Sequence, residues 1–200
     1  TVVVLVRHNE RPVAVPGPDK SVKNGQELAL VAGSTDVEGD LIVDWDWAVI
    51  GGPGGASIEG DDLSYQLSGA QAPNASFRPF AKGDWSLSLR VADESGWSAP
   101  VAFTVHSENN APTALAGANL TVENGSALAL HGGGSDPDED SLSYEWTLTG
   151  QPQGSSYEFV DNDTAEATFT TMGKGLWTLA LRVYDGEDKS TADNLVFIAT

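Results

Sequence analysis

The sequence predicts an all-β chain of two consecutive β-sandwiches, and two observations lead to this fold class. The first is an internal repeat, in which Asn24-Gly25 and Lys82-Gly83 return in the second half as Asn124-Gly125 and Lys174-Gly175. Repeats of this kind indicate that one structural unit occurs twice. The second is the alternation of apolar and polar residues in short segments bounded by Gly, Asn, Asp and Pro. A period of two is typical of strands with one face in a core and the other in solvent.

The alternation is clearest in two segments of each half, and all four segments contain tryptophan. They are Val43, Trp45, Trp47 and Val49; Trp85, Leu87, Leu89 and Val91; Leu142, Tyr144, Trp146 and Leu148; and Trp177, Leu179, Leu181 and Val183. No stretch keeps a helical period over three turns. Short strands separated by turn residues, in a unit of this size, predict an immunoglobulin-like sandwich of about seven strands. The tryptophans shared by the two halves are therefore expected in the cores.

The repeat also predicts the domain boundaries. The first sandwich is expected over residues 9–107 and the second over residues 108–200. Residues 4–9 precede Pro12 as residues 104–109 precede Pro112. We therefore interpret residues 1–8 as the end strand of a preceding domain or as an N-terminal extension.

Composition excludes several classes of partner. Asp and Glu number 29 against 10 Lys and Arg, for a formal charge of −19, which disfavours nucleic acid and anionic membrane surfaces. No apolar run is long enough to predict membrane insertion. A hydrophobic content of 40% and six tryptophans argue against long disorder. The absence of cysteine favours a bacterial secreted or surface protein over an animal extracellular one.

The strongest chemical signal is a run of alternating carboxylates. Asp136, Asp138 and Asp140 follow one another at alternate positions, and the first half has Thr35-Asp36-Val37-Glu38-Gly39-Asp40 at the equivalent place. Oxygen-rich turns of this kind suit Ca²⁺, which takes six to eight oxygen ligands. The alternative is that Asp and Gly fill these turns because they accept turn geometry. Mutual repulsion of the carboxylates favours the cation.

The residues around this run resemble polycystic kidney disease (PKD) domains. The resemblance rests on the opening Asn109-Asn110-Ala111-Pro112, on Ser135–Asp140 followed by Leu142–Trp146, and on Leu181–Gly186. It covers both halves and is stronger in the second. It implies a calcium-binding sandwich that occurs in tandem in bacterial exoenzymes, adhesins and surface-layer proteins as a spacer or interaction module.

The resemblance also implies the ligands. For the second unit they are Asn109, Asp136, Asp138, Asp140 and Asp185; for the first unit they are Asn9, Asp36, Glu38, Asp40 and Asp93. The first unit lacks the loop proline, and Glu94 stands where the second unit has Gly186. The site of the first unit therefore matches the family's pattern less completely than that of the second.

Catalysis has little support in the sequence, because His8, His106 and His131 fall in no nucleophile or zinc motif. We predict a non-enzymatic, calcium-binding spacer or adhesion module of a larger secreted or cell-surface protein, in which calcium makes the tandem more rigid and the partners are neighbouring domains of the same chain. The alternative is a carbohydrate- or protein-binding accessory module of an extracellular enzyme that degrades polysaccharide or protein. Trp97, which has no partner in the second half, is then the candidate contact for a glycan or surface protein.

Overall fold

The computed structural model describes residues 9–61 and 63–200, and these residues form strands, turns and loops. The chain divides into two compact units, Thr1–Glu108 and Asn109–Thr200, one residue later than the boundary expected from the repeat. The end strand predicted for residues 1–8 lies outside the described residues. Within the described ranges, no helix is long and apolar enough to cross a membrane.

The described part of the first unit contains ten strands. They are β1 (Val13–Val15), β2 (Lys20–Lys23), β3 (Leu28–Val31), β4 (Gly33–Thr35), β5 (Asp44–Gly51), β6 (Tyr65–Ser68), β7 (Asn74–Pro79), β8 (Gly83–Asp93), β9 (Gly96–Trp97) and β10 (Val101–Glu108). One sheet has the order β2-β10-β8-β5, with β9 paired to β8, and the other has the order β3-β7-β6. Strands β1 and β4 form a separate antiparallel pair.

The second unit repeats this arrangement with nine strands. They are β11 (Thr113–Leu115), β12 (Leu120–Val122), β13 (Ala127–His131), β14 (Gly133–Ser135), β15 (Ser143–Gly150), β16 (Ser156–Val160), β17 (Glu166–Met172), β18 (Gly175–Tyr184) and β19 (Asp193–Ala199). Its sheets have the orders β12-β19-β18-β15 and β13-β17-β16, beside the pair β11-β14. The prediction of an all-β, immunoglobulin-like tandem is confirmed.

Two strands of the expected seven are divided in each unit. The second of the seven is split into β3 and β4 in the first unit and into β13 and β14 in the second. The first strand is split into β1 and β2, and β2 runs parallel to β10 in a different sheet from β1. Gly17 lies between the halves with φ of 90°, and Gly117 lies at the same place in the second unit with φ of 96°. Because residues with a Cβ rarely adopt this conformation, glycine allows the chain to pass from one sheet to the other.

Each unit has its own core, built around two tryptophans as predicted. They are Trp47 and Trp85 in the first unit and Trp146 and Trp177 in the second. Trp85 is fully buried and packs edge-on against Phe77, with 5.5 Å between ring centroids. Trp177 and Phe169 repeat this contact at 5.6 Å. Every second residue from Trp85 to Val91 in β8 and from Trp177 to Val183 in β18 is fully buried. The period of two therefore sets the core of both sandwiches, and β8 and β18 both end next to the carboxylate loops.

Candidate metal centre

The predicted carboxylates lie at the ends of strands in both units. In the first unit, Asp36 directly follows β4 and Asp93 is the last residue of β8. In the second unit, Asp136 directly follows β14 and Asp185 directly follows β18. Strands that pack over a common core thus deliver side chains from two distant parts of the sequence to one place.

The structure brings three carboxylates together in each unit. Their oxygens lie within 4.8 Å of one another in two clusters, the first formed by Asp36, Asp40 and Asp93, and the second by Asp136, Asp140 and Asp185. Six of the ten predicted ligands therefore converge.

The loop aspartates fold their own loops with one oxygen each. Asp36 Oδ1 accepts hydrogen bonds from the amides of Glu38 and Asp40, both at 2.9 Å. Asp136 Oδ1 accepts from the two equivalent amides, at 2.7 and 3.3 Å. Aspartate bonds to following amides in this way at turns. The second oxygen of each carboxylate remains available to the cluster.

Asp93 is held by the turn that follows it. Its Oδ1 accepts hydrogen bonds from the Ser95 hydroxyl (2.6 Å), the Ser95 amide (2.7 Å) and the Gly96 amide (3.1 Å). The hydroxyl bond is the largest influence on the pKa of Asp93 and lowers it; burial opposes this, and the two amides add to the lowering. Asp93 is therefore a carboxylate anion at neutral pH.

Three oxygens of the two clusters are buried without a hydrogen-bond partner, namely Oδ2 of Asp36, Asp93 and Asp136. Asp93 is the most enclosed of them, because only 5% of its surface is exposed. Burying a charged oxygen without a partner is costly. Two carboxylates at this separation also repel each other by roughly 3 kcal/mol at an effective dielectric constant of about 20. A divalent cation reverses that interaction, and a set of carboxylate oxygens suits Ca²⁺.

The predicted asparagines differ between the units. Asn109 is 7% exposed, and its Nδ2 donates to Asp185 Oδ2 at 2.9 Å and to Asp188 Oδ2 at 3.1 Å. Asn9 is exposed. The difference has a local cause, since the first unit has Gly96 at the position of Asp188 and so offers Asn9 no second carboxylate.

Glu38 and Asp138 are predicted ligands that contact the chain entering each unit. Glu38 Oε2 accepts a hydrogen bond from the Glu10 amide at 3.3 Å. Asp138 accepts from Asn110 twice, from the backbone amide at 2.7 Å and from Nδ2 at 2.8 Å. Neither residue is part of a three-carboxylate cluster. These two carboxylates fasten the entering segment to the loop next to the cluster.

Asp188 is a neighbour of the second cluster that the sequence analysis missed. It stands in the acidic run Asp185-Gly186-Glu187-Asp188. The acidic run indicated that Asp188 could lie near the site. Comparison of the two repeats did not select Asp188, because the first unit has glycine, Gly96, at the equivalent position.

Trp97, the candidate ligand contact, stacks on an arginine. The guanidinium carbon of Arg90 lies 4.7 Å from the centre of the Trp97 ring, and Arg90 Nε donates to Asp46 Oδ2 at 2.6 Å. Trp97 belongs to β9, which pairs with the end of β8. These contacts hold the Trp97 side chain beside β8, and its role as a ligand contact stays a prediction.

Replacing Ser95 with alanine should make the first unit less stable at pH 7 and less sensitive to acid. The depressed pKa of Asp93 contributes stability above the ordinary carboxyl pKa of about 3.9, and this contribution is lost as pH falls through the lower folded-state value. Without the Ser95 hydroxyl, the pKa of Asp93 in the folded state rises toward its value in the unfolded state. Thermal melting in EDTA at pH 7 and at pH 2 measures the effect, which should be large at pH 7 and small at pH 2. Replacement of the exposed Ser34 is the control, and equal losses at both pH values would contradict the prediction.

The comparisons with known proteins agree with this architecture. Residues 116–198 match the family described as K319L-like, PKD domain. The match covers most of the second unit and confirms the resemblance to tandem PKD-like β-sandwich domains.

Among curated relatives, the chain is 30% identical to the Dyslexia-associated protein KIAA0319 of Homo sapiens over 96% of this chain and 18% of the relative. It is 32% identical to the KIAA0319 homolog of Mus musculus over 92% of this chain and 17% of the relative. The chain thus spans less than a fifth of these proteins. A solved PKD domain from the KIAA 1837 protein shares 24% identity over 48% of this chain and 84% of that chain, with a TM-score of 0.38. These curated relatives are mammalian, so they do not support the bacterial origin expected from the sequence.

Proposed function

We propose that this chain is a calcium-binding, non-catalytic spacer or adhesion module of a larger secreted or cell-surface protein. The observation that carries the proposal is Asp93 Oδ2, a buried carboxylate oxygen that has no hydrogen-bond partner and belongs to a cluster of three carboxylates. The equivalent cluster in the second unit supports the same chemistry. Two sites at equivalent positions favour a shared role over chance placement of acidic turn residues.

The donor set favours calcium over other common cations. Each cluster consists of three aspartate carboxylates, so its ligand atoms are all oxygens. Zn²⁺ prefers His and Cys ligands, whereas Ca²⁺ accepts many oxygens in flexible geometry. Mg²⁺ demands a nearly ideal octahedron and retains several waters. The sites should therefore bind calcium more tightly than magnesium.

Calcium binding would act on the loops that carry the ligands. In the first unit the cation would connect the loop after β4 to the turn after β8, and the entering chain is already attached to the loop after β4 through Glu38. Neutralising the carboxylates removes their repulsion and holds these segments together. A module of this kind serves as a stiffened spacer between neighbouring domains of the same chain.

The test is thermal unfolding in EDTA and then in millimolar calcium, with magnesium as the control. At free calcium about 100-fold above Kd, binding adds roughly 2.7 kcal/mol to the free energy of unfolding. For a domain of this size, that corresponds to a rise in Tm of about 10 °C or more. Magnesium should produce a much smaller rise. Equal melting temperatures in EDTA and in calcium would refute the proposal.

A further inference from the structure

The second cluster already contains a hydrogen-bond donor. Asn109 is nine-tenths buried, and its Nδ2 donates to one oxygen of Asp185 and one oxygen of Asp188. A side-chain amide that faces two carboxylates must present its NH₂ group, because its carbonyl oxygen offers only lone pairs to these acceptors. The orientation of this amide is therefore set by the charge of its neighbours.

The first cluster lacks this arrangement. Asp93, the equivalent of Asp185, keeps a buried Oδ2 without a hydrogen-bond partner. Gly96 takes the position of Asp188, and Asn9 is exposed whereas Asn109 is buried. The two clusters thus differ at one place: the Asn109 amide bridges two carboxylates beside the second cluster, whereas the equivalent aspartate of the first cluster, Asp93, has an Oδ2 without a hydrogen-bond partner.

We propose that Asp188 is a ligand of the second calcium site and that Asn109 takes the place of the cation until calcium binds. When calcium is present, the amide turns so that Oδ1 replaces Nδ2, and a donor to the carboxylates becomes a ligand of the metal. The inference rests on the proposed calcium-binding function. It goes further in assigning a ligand and a switching residue to one site and in making the two sites unequal.

The position of Asn109 gives this exchange a structural consequence. Asn109 is the first residue of the second unit, and the next residue, Asn110, is bonded to Asp138 through backbone and side chain. A change in the Asn109 side chain therefore acts where the chain enters the sandwich. The second site would sense calcium at the entering segment itself.

The test uses the full chain and the variant Asn109→Asp, with hydrogen exchange followed by mass spectrometry to assign unfolding to each unit. In EDTA the added carboxylate faces Asp185 and Asp188 with no donor between them, so the second unit should melt roughly 5–15 °C lower. In calcium the extra charged ligand should tighten the second site about tenfold or more. Lower stability without calcium combined with tighter calcium binding is the expected result.

Two further variants separate the outcomes. Asn9→Asp is the matched control, and because Asn9 is exposed it should leave stability in EDTA unchanged. Asp188→Asn should weaken the second site about tenfold and leave the first site unaffected. If wild-type protein binds calcium at the second cluster but Asn109→Asp neither lowers stability in EDTA nor tightens binding, the inference is wrong and the proposed function stands. If neither unit of the wild-type protein binds calcium, the proposed function fails first, independently of the variants.

Discussion

Replacing Trp85 with alanine should unfold the first sandwich at least about 12 °C below the wild-type temperature and leave the second sandwich unchanged. Trp85 is fully buried, and its ring contacts Phe77 at 5.5 Å and Tyr65 at 5.7 Å between centroids. Its Nε1 also donates to the Ala81 carbonyl at 3.0 Å. Truncating a buried tryptophan costs about 3–5 kcal/mol, and 1 kcal/mol shifts the Tm of such a domain by about 4–8 °C.

The second sandwich should be spared because its core is built from other residues, all between Ala114 and Ala199. Differential scanning calorimetry of the full chain in EDTA resolves the transitions, and hydrogen exchange assigns them. Trp97→Ala is the control within the same unit, since it removes a partly exposed ring whose stacking on Arg90 is worth only about 0.5–1 kcal/mol. Similar losses from Trp85→Ala and Trp97→Ala would show that the core assignment is wrong.

Removing the carboxylate of Asp136 should abolish the calcium response of the second unit. The residue has two roles, because Oδ1 folds the loop through two amides and Oδ2 is a buried oxygen without a hydrogen-bond partner. In Asp136→Ala both roles are lost, so we expect lower stability in EDTA and no stabilisation by calcium. At calcium about 100-fold above the wild-type Kd, the lost binding contribution is roughly 2.7 kcal/mol.

Asp136→Asn separates the two roles. The amide oxygen can still accept from the loop amides, while an NH₂ group replaces Oδ2 in the cluster and donates to the remaining carboxylates. This variant should equal or exceed the wild-type stability in EDTA and still show no calcium response in the second unit. Isothermal titration should then report one site where wild-type protein has two. Calcium binding by Asp136→Asn at wild-type affinity would mean that Oδ2 is not a ligand.

Much of the fold was predictable because the signals are local. The period of two around Trp85 and Trp177 depends only on strand geometry, and both strands bury the residues that the pattern selects. The repeated carboxylates were also visible, because turns at equivalent strand ends keep the same spacing. Asp36 and Asp93, which the resemblance implied as ligands of one site, lie in the same cluster.

The roles of individual side chains were less predictable, because they depend on contacts between distant segments. Trp97 has no partner in the repeat, and its stacking on Arg90 of the neighbouring strand could not be read from the sequence; its role as a ligand contact stays a prediction. Glu38 and Asp138 belong to the acidic run, but their oxygens accept from the entering chain. Spacing along the loop does not distinguish an oxygen that faces a cluster from one that faces the backbone.

The amino-acid sequence by itself determined the fold class, the two units, the buried tryptophans and the chemical type of the candidate site. These follow from periodicity, turn residues and repetition, which act over a few neighbouring residues. Only the tertiary structure decided which oxygens face each cluster, that Asp188 joins Asp185 at Asn109, and that Asn9 does not repeat the role of Asn109. The physical reason is that hydrogen-bond partners and burial are set where strands from distant parts of the chain meet.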